Sequence, residues 1–281
     1  MASFKEMKKN RMANLESLSK QVEKLAEKPS YEDERIWKLE RDKSGNGYAV
    51  IRFLPAAQNE DVPWVRIWTH GFKGPGGWYI ENSLTTLGKD DPVSKANTAL
   101  WNSGIDSDKN IARERRRKLN YYSNIYIVED SLNPQNEGKV FLFRYGKKIF
   151  EKITGVMNPE FADETPLNPF DFWEGANFKM KMRQIDGFPN YDKSEFTDIA
   201  PLSEDEKKME EVWSQQYSLN EVIEEKNFKN YAELEARFNT VIARKGDEFV
   251  GNIEESTSEP VASTEKTDDT LDYFKKLAEQ E

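Results

Sequence analysis

The densest run of chemically capable side chains is Arg113, Arg115, Arg116, Arg117 and Lys118, followed at once by Asn120-Tyr121-Tyr122. Clustered bases neutralise a phosphate chain, and adjacent aromatic faces stack bases at about 1–3 kcal/mol each. The pairing recurs twice. Arg144, Lys147 and Lys148 lie among Phe141, Phe143 and Tyr145, and Lys179, Lys181 and Arg183 precede Phe188 and Tyr191. A solvated loop before a core strand would explain one such stretch alone. Three of them, each beside aromatics in polar sequence, fit a single strand with unstacked bases. A duplex fits less well, because no helix-turn-helix or zinc-finger pattern is present.

Other chemistries find less support. Asp171, Glu174, Asp186 and Asp192 supply carboxylates near aromatics, as a glycosidase cleft would. No spacing picks out the pair about 5–9.5 Å apart that such hydrolysis needs, and sugar clefts need no basic stripes. There is no P-loop and no nucleophile elbow. A binding protein, not an enzyme, is the reading. Its alternatives are a single-stranded RNA-binding module, which only 2'-hydroxyl contacts would distinguish, and a carbohydrate-active enzyme with an aromatic cleft. The absence of cysteine excludes disulfides and thiolate metal sites.

The net charge of -10 argues against a polyanion partner until it is located. Residues 246–281 hold 11 acids and 3 bases, a net of -8, which leaves -2 for residues 1–245. Within that part residues 1–28 carry 7 bases against 4 acids, residues 109–118 carry 6 against 1, and residues 139–152 carry 5 against 1. With 16 Phe, 11 Tyr and 7 Trp, the chain is too aromatic to be disordered throughout. No apolar run is long enough for a membrane span, and the charged N-terminus is unlike a secretory signal, so an intracellular protein is expected.

These side chains must be positioned by recognisable elements. Met7, Met12, Leu15, Leu18, Val22 and Leu25 recur at helical spacing and predict a basic amphipathic helix that ends at Pro29. Residues 36–55 predict a hairpin around Asn46-Gly47, and 64–80 a second one turning at Gly74-Pro75-Gly76-Gly77. Residues 82–110 read as polar and irregular. Strands are expected at 120–130, 139–145 and 177–185, and a helix at 146–157. Ser203 with Glu206 predicts a capping box for a helix carrying Met209, Val212, Trp213 and Tyr217. Asn230 caps another that carries Leu234, Phe238 and Val241. A Ser/Thr/Glu-rich linker leads to a short amphipathic end holding Leu271, Tyr273, Phe274 and Leu277. Hairpins with flanking helices suggest a small mixed β-barrel.

The segments AVIRFLP (49–55), HGFK (70–73), WYIE (78–81), NEGKVF (136–141), GKKI (146–149), WEGANF (173–178) and GF-x-NYD (187–192) complete the pattern. In order, from about Met7 to about Gly246, the chain resembles the T-even-type phage single-stranded-DNA-binding, or helix-destabilising, family. The resemblance implies an α+β protein built on an oligonucleotide-binding (OB-fold) β-barrel with flanking helices. It divides the chain into a basic N-terminal arm (1–28) for cooperative self-association, a DNA-binding core (29–245) with a zinc-less subdomain near 64–110, and a disordered acidic tail (246–281) for partners.

Carried over by position, the implied DNA contacts are Arg52, Arg116, Arg117 and Arg144, with aromatics at Trp101, Tyr121, Tyr122, Phe143, Phe150, Phe188 and Tyr191. Arg115, Lys118 and Lys147 join them from the basic clusters. Lys8, Lys9 and Arg11 would serve self-association, and Leu271, Tyr273, Phe274 and Leu277 partner binding. The family binds zinc through one His and three Cys. Here His70 alone is retained, with Ser83, Asp91 and Ser94 near the cysteine positions, so no zinc or other cofactor is expected. Leu84, Leu87, Val93 and Leu100 are expected to pack the subdomain instead. Implied partners are single-stranded DNA, further copies of the chain, and phage helicase loader, polymerase and recombinase mediator, with no membrane. The implied setting is the cytoplasm of an infected bacterium, during replication, recombination and repair.

Overall fold

A computed structural model describes residues 33–161 and 163–243. The arm residues Lys8, Lys9 and Arg11 and the tail residues Leu271, Tyr273, Phe274 and Leu277 lie outside the described residues.

Among the described residues nine strands form one sheet: β1 Ile36–Trp37, β2 Gly47–Phe53, β3 Val65–Gly74, β4 Gly77–Asn82, β5 Lys118–Asp130, β6 Val140–Gly146, β7 Ala176–Ile185, β8 Phe188–Asn190 and β9 Glu195–Ile199. Five α-helices accompany it among the described residues: α1 Pro92–Asn102, α2 Asp106–Glu114, α3 Lys147–Met157, α4 Glu206–Ser214 and α5 Tyr231–Ile242. The expected α+β class is present, but the barrel is not closed. The path β1-β6-β5-β2-β7-β8 has two free ends, and β3 and β9 join it as branches on β5 and β7.

Strand β5 organises the sheet. Its 13 residues pair antiparallel with β2, β3 and β6 along different stretches. The β-branched and aromatic run Ile125-Tyr126-Ile127 suits a strand buried on both faces. One face packs Trp37, Phe53, Tyr121, Phe143, Tyr145 and Phe178 beneath α3, which contributes Ile149 and Ile153. The opposite face is covered in two patches. Ile67 and Tyr122 meet Phe72, Tyr79, Val93 and the α5 residues Leu234, Phe238 and Val241. Tyr126 and Val140 meet Leu54, Phe172 and the α4 residues Met209 and Val212.

Several local expectations change. The chain does turn before Gly47, but its two arms do not form a hairpin. Asp42 makes the turn by accepting the Ser44 and Asn46 N–H groups, while β1 pairs in parallel with β6 and β2 pairs with β5 and β7. Residues 82–110 are largely helical, because Asp91 caps α1 with Pro92 at its first position, and Asp106 and Asp108 begin α2. Helix α4 is capped by Asp205 rather than Ser203, and Tyr217 lies beyond its end. The β3–β4 hairpin turns where expected, between Gly74 and Gly77. Helix α5 shows the Asn230–Glu233 capping box. Between β7 and β8, Asp186 and Gly187 both have positive φ (51° and 81°), the geometry of a tight primed hairpin turn.

Candidate nucleic-acid interface

Consecutive strand residues point to opposite faces, and this splits the predicted site. Tyr121 lies in the core beneath α3, whereas Tyr122 packs on the other face near α5. Arg144 stands opposite Tyr122 and follows it to that face, where its Nε donates to Asn120 Oδ1 at 3.2 Å. One groove on a flat sheet face therefore cannot hold Tyr121, Tyr122 and Arg144 together.

On the first face the rings form a row. Phe150 stacks on Tyr121 at 3.9 Å and 8°, Tyr121 stacks on Tyr145 at 5.7 Å, and Tyr145 on Phe143 at 5.2 Å. Tyr121 is only 6% exposed, and Tyr122 and Phe143 are similarly buried, so none of the three presents an open face for a base in this structure. The surface end of the row is formed by half-buried Phe150 and by Trp64, whose ring meets Phe150 edge-on at 5.5 Å.

Arg52 is a clear correction. It has no exposed surface, and its Nη2 donates to the carbonyl oxygens of Asp171 and Ala200, both at 2.8 Å. Burial lowers its pKa to about 10, opposed by nearby Asp171, and it remains cationic at neutral pH. The neighbouring chain passes so close that a Cβ on Gly175 would lie 2.7 Å from Arg52 Nη2. Arg52 is thus a clasp between the centre of the sheet and the 171–200 segments, out of reach of a phosphate.

What remains at the surface is a basic band. Arg117 lies over the Trp68 ring at 4.4 Å. Two residues away on β3, exposed Arg66 stands opposite Tyr121 in the strand register. Burial pushes the Tyr121 hydroxyl pKa up, while Arg66 and Lys147 oppose that shift, which places both cations near the hydroxyl. From Lys147 the band continues along α3. Lys148 lies 3.7 Å from Asp192, and Lys152 Nζ donates to the Asp192 carbonyl oxygen at 3.0 Å. The hydrogen bond from Asn190 holds the Asp192 carboxyl below the usual range, helped by Lys148, Lys152 and Arg183 and opposed by slight desolvation. The β7–β8 turn then presents Phe188, 75% exposed. Along this course Arg66, Arg117, Lys147, Lys148, Lys152 and Arg183 outnumber the acids Glu151, Asp192 and Glu195.

The other expected residues distribute around this band. Arg116 and Lys118 are exposed, and Arg115 is half-buried over Phe72 and Phe238, at 5.6 Å from each. Trp101 is half-buried, with Arg113 at 5.4 Å over its ring. Tyr191 is half-buried against the core. Trp64, Arg66 and Trp68 were not among the expected contacts. Their signal was available, since alternation with Val65 and Ile67 puts aromatic, base and aromatic on one face.

Below the band, His70, Ser83, Asp91 and Ser94, the residues at or near the zinc positions that the resemblance implies, come together. His70 is 1% exposed, and its Nε2 lies 3.2 Å from Asp91 Oδ1 and 3.4 Å from Ser94 Oγ. Asp91 also accepts the Ser94 N–H at 2.9 Å and the Leu84 N–H at 3.2 Å, and it interacts with Ser83. Burial alone would raise the Asp91 pKa, but the contact with His70 and the hydrogen bond from the Ser94 N–H outweigh that and hold it at about 2. Zinc does not fit this donor set. Both carboxylate oxygens already accept N–H groups, the hydroxyls are poor ligands, and one imidazole remains. Of the expected packing residues, Leu84 and Val93 are buried, and Leu87 packs against them half-exposed.

Comparison with known proteins finds relatives over most of the chain. Residues 45–242 match the family model described as gp32 DNA binding protein like. The single-stranded DNA-binding protein of Enterobacteria phage T2 is 37% identical over 263 residues, covering 92% of this chain and 85% of that protein. Its namesake from Enterobacteria phage T4 is 37% identical over 248 residues, covering 87% and 80%. That of Enterobacteria phage RB70 is 39% identical over 108 residues, covering 37% of this chain and 92% of that protein.

Proposed function

The chain belongs to the gp32 DNA-binding-protein-like family, and from that premise we propose that it binds single-stranded DNA along the Arg117–Phe188 band. The observation that carries this reading is the succession Trp68–Arg117, Arg66, Lys147, Lys148–Lys152 and Phe188, a run of cations that ends at an exposed ring. Phosphates follow the cations, while bases stack on Phe188 and at the Phe150–Trp64 end of the ring row. Arg116, Lys118 and the Trp101–Arg113 pair extend the band, and Arg144 contributes from the opposite face at its edge. Binding of this kind tolerates any sequence, because every base has a π-face. The activity is binding and not catalysis.

By binding the open form, the protein coats and protects exposed strands and destabilises duplexes by mass action during phage replication, recombination and repair. We read its sheet as an open relative of the oligonucleotide-binding barrel, with β5 serving the neighbours that closure would share. Residues 1–28, with Lys8, Lys9 and Arg11, join successive copies into a contiguous coat. Residues 246–281 recruit replication and recombination proteins through Leu271, Tyr273, Phe274 and Leu277. The setting is the cytoplasm of the infected cell. Among the described residues, no helix is long and apolar enough to cross a membrane.

Titration of a short oligo-dT between low and moderate salt tests the reading. Neutralising about four phosphates predicts a slope of log K against log salt near about -3. A salt-independent affinity would overturn it. Competition with a matched RNA oligomer decides the polymer, and preference for the RNA would make the chain a single-stranded RNA binder.

A further inference from the structure

The His70–Asp91 cluster touches more of the molecule than its own subdomain. His70 Nδ1 donates to the carbonyl oxygen of Arg115 at 2.9 Å. Arg115 follows α2 directly, and its guanidinium lies over Phe72 and Phe238, so this residue is held at both its backbone and its side chain. Two residues on, the Arg117 guanidinium lies on Trp68. Trp68 and His70 are themselves two residues apart on β3, so the same side of that strand grips Arg115 by its carbonyl and Arg117 by its head. Behind His70, Asp91 caps α1 and accepts the Leu84 N–H, which fixes the imidazole against two further segments.

The geometry points to a positioning role: His70 and Asp91 form a metal-independent polar cross-link that aims Arg117, and with it the basic end of the band, at the DNA. The inference rests on the single-stranded-DNA reading and adds two residues that never touch the strand. A chain that presents several unpaired cations loses affinity when their backbone is free to wander, because each must be ordered again on binding. Anchoring Arg115 by its carbonyl carries that ordering into the fold. Elsewhere in the family the corresponding positions are expected to hold zinc. Here a buried carboxylate that accepts the Ser94 and Leu84 N–H groups does the tying.

The test uses the full chain and oligo-dT. Wild-type protein should keep its melting temperature and its affinity in EDTA, and elemental analysis should find no stoichiometric zinc. Chelator sensitivity in either quantity, or one zinc per chain, would overturn metal independence. His70→Phe keeps a flat aromatic ring, slightly larger, but removes the bond to Arg115, and it should lose about tenfold in affinity, on the scale of one charged contact. Its salt slope should become shallower by about 0.7, the loss of roughly one phosphate contact. Adding Arg117→Ala to His70→Phe should cost little more, because the two act through one contact. Asp91→Asn, which keeps the helix cap, gives a milder version of the same result should His70→Phe not fold. A lowered melting temperature with an unchanged salt slope, or fully additive effects with Arg117→Ala, would make the cluster purely structural and overturn the inference. Failure of the wild-type protein to bind oligo-dT at all would overturn the DNA reading itself, which the variants do not test.

Discussion

Arg52 and Arg117 are both arginines in polar-aromatic sequence, yet they end in opposite circumstances. Arg52 lies at the centre of the sheet with its guanidinium spent on the Asp171 and Ala200 carbonyls. Arg117 lies at the edge, spread over the Trp68 face. Burial lowers the pKa of both, with Asp171 opposing it at Arg52 and Asp91 at Arg117. What separates them is the partner. Carbonyl oxygens use up the N–H groups a phosphate would need, whereas an aromatic face leaves the guanidinium edge free. A basic residue in the sequence is a DNA contact only where the backbone has not already claimed it.

The contrast is most easily broken at Arg52. Arg52→Ala should strand two buried carbonyls and destabilise the fold by about 3 kcal/mol, measured by urea unfolding. Oligo-dT affinity per folded molecule should stay the same. A stable variant with weakened binding would return Arg52 to the interface.

At the far end of the band, Phe188→Ala should leave stability nearly unchanged, because the ring is mostly in solvent. It should weaken oligo-dT binding by about 1–3 kcal/mol with little sequence preference. Equal binding by variant and wild type would remove Phe188 from the path. Tyr121→Ala sharpens the comparison from the inside. Its ring is sandwiched between Phe150 and Tyr145, so unfolding free energy should fall by about 3 kcal/mol, with any loss of binding following from the disturbed row.

A smaller effect separates the two regions by pH. The Asp91 pKa is depressed in the folded state relative to an unfolded value near 4. Its stabilisation is therefore fully present above about pH 4 and is lost as pH falls toward about 2. The wild-type melting temperature should drop across that window more steeply than that of Asp91→Asn. Parallel curves would show that Asp91 is not what acid attacks.

Much of this was legible beforehand. The elements around β5, β6, α3 and β7 follow from period-two and period-3.6 patterning, and the Asn230 cap from local chemistry alone. Helices α1 and α2 were missed because only Pro92, Val93 and Ala112 are buried in them, too few to set a period. The parallel pairing of β1 with β6 joins residues about a hundred apart and leaves no local trace. At the site, basic-aromatic clustering located the right neighbourhood. It could not tell Tyr121 from Tyr122, since adjacent strand residues part to opposite faces, nor Arg52 from Arg117, since the claiming carbonyls come from distant loops. Arg66 and Trp68 were readable from alternation, in a stretch read only as one arm of a hairpin.

The central claim is that the cations on the α3 face, and not the buried Arg52, carry the phosphates. It is tested most directly by the salt dependence of oligo-dT binding for wild type and the double variant Arg66→Ala/Lys147→Ala. Removing two phosphate contacts should make the slope of log K against log salt shallower by about 1.4 while the melting temperature holds. Identical slopes for the two proteins would place the DNA elsewhere on the molecule and contradict the account.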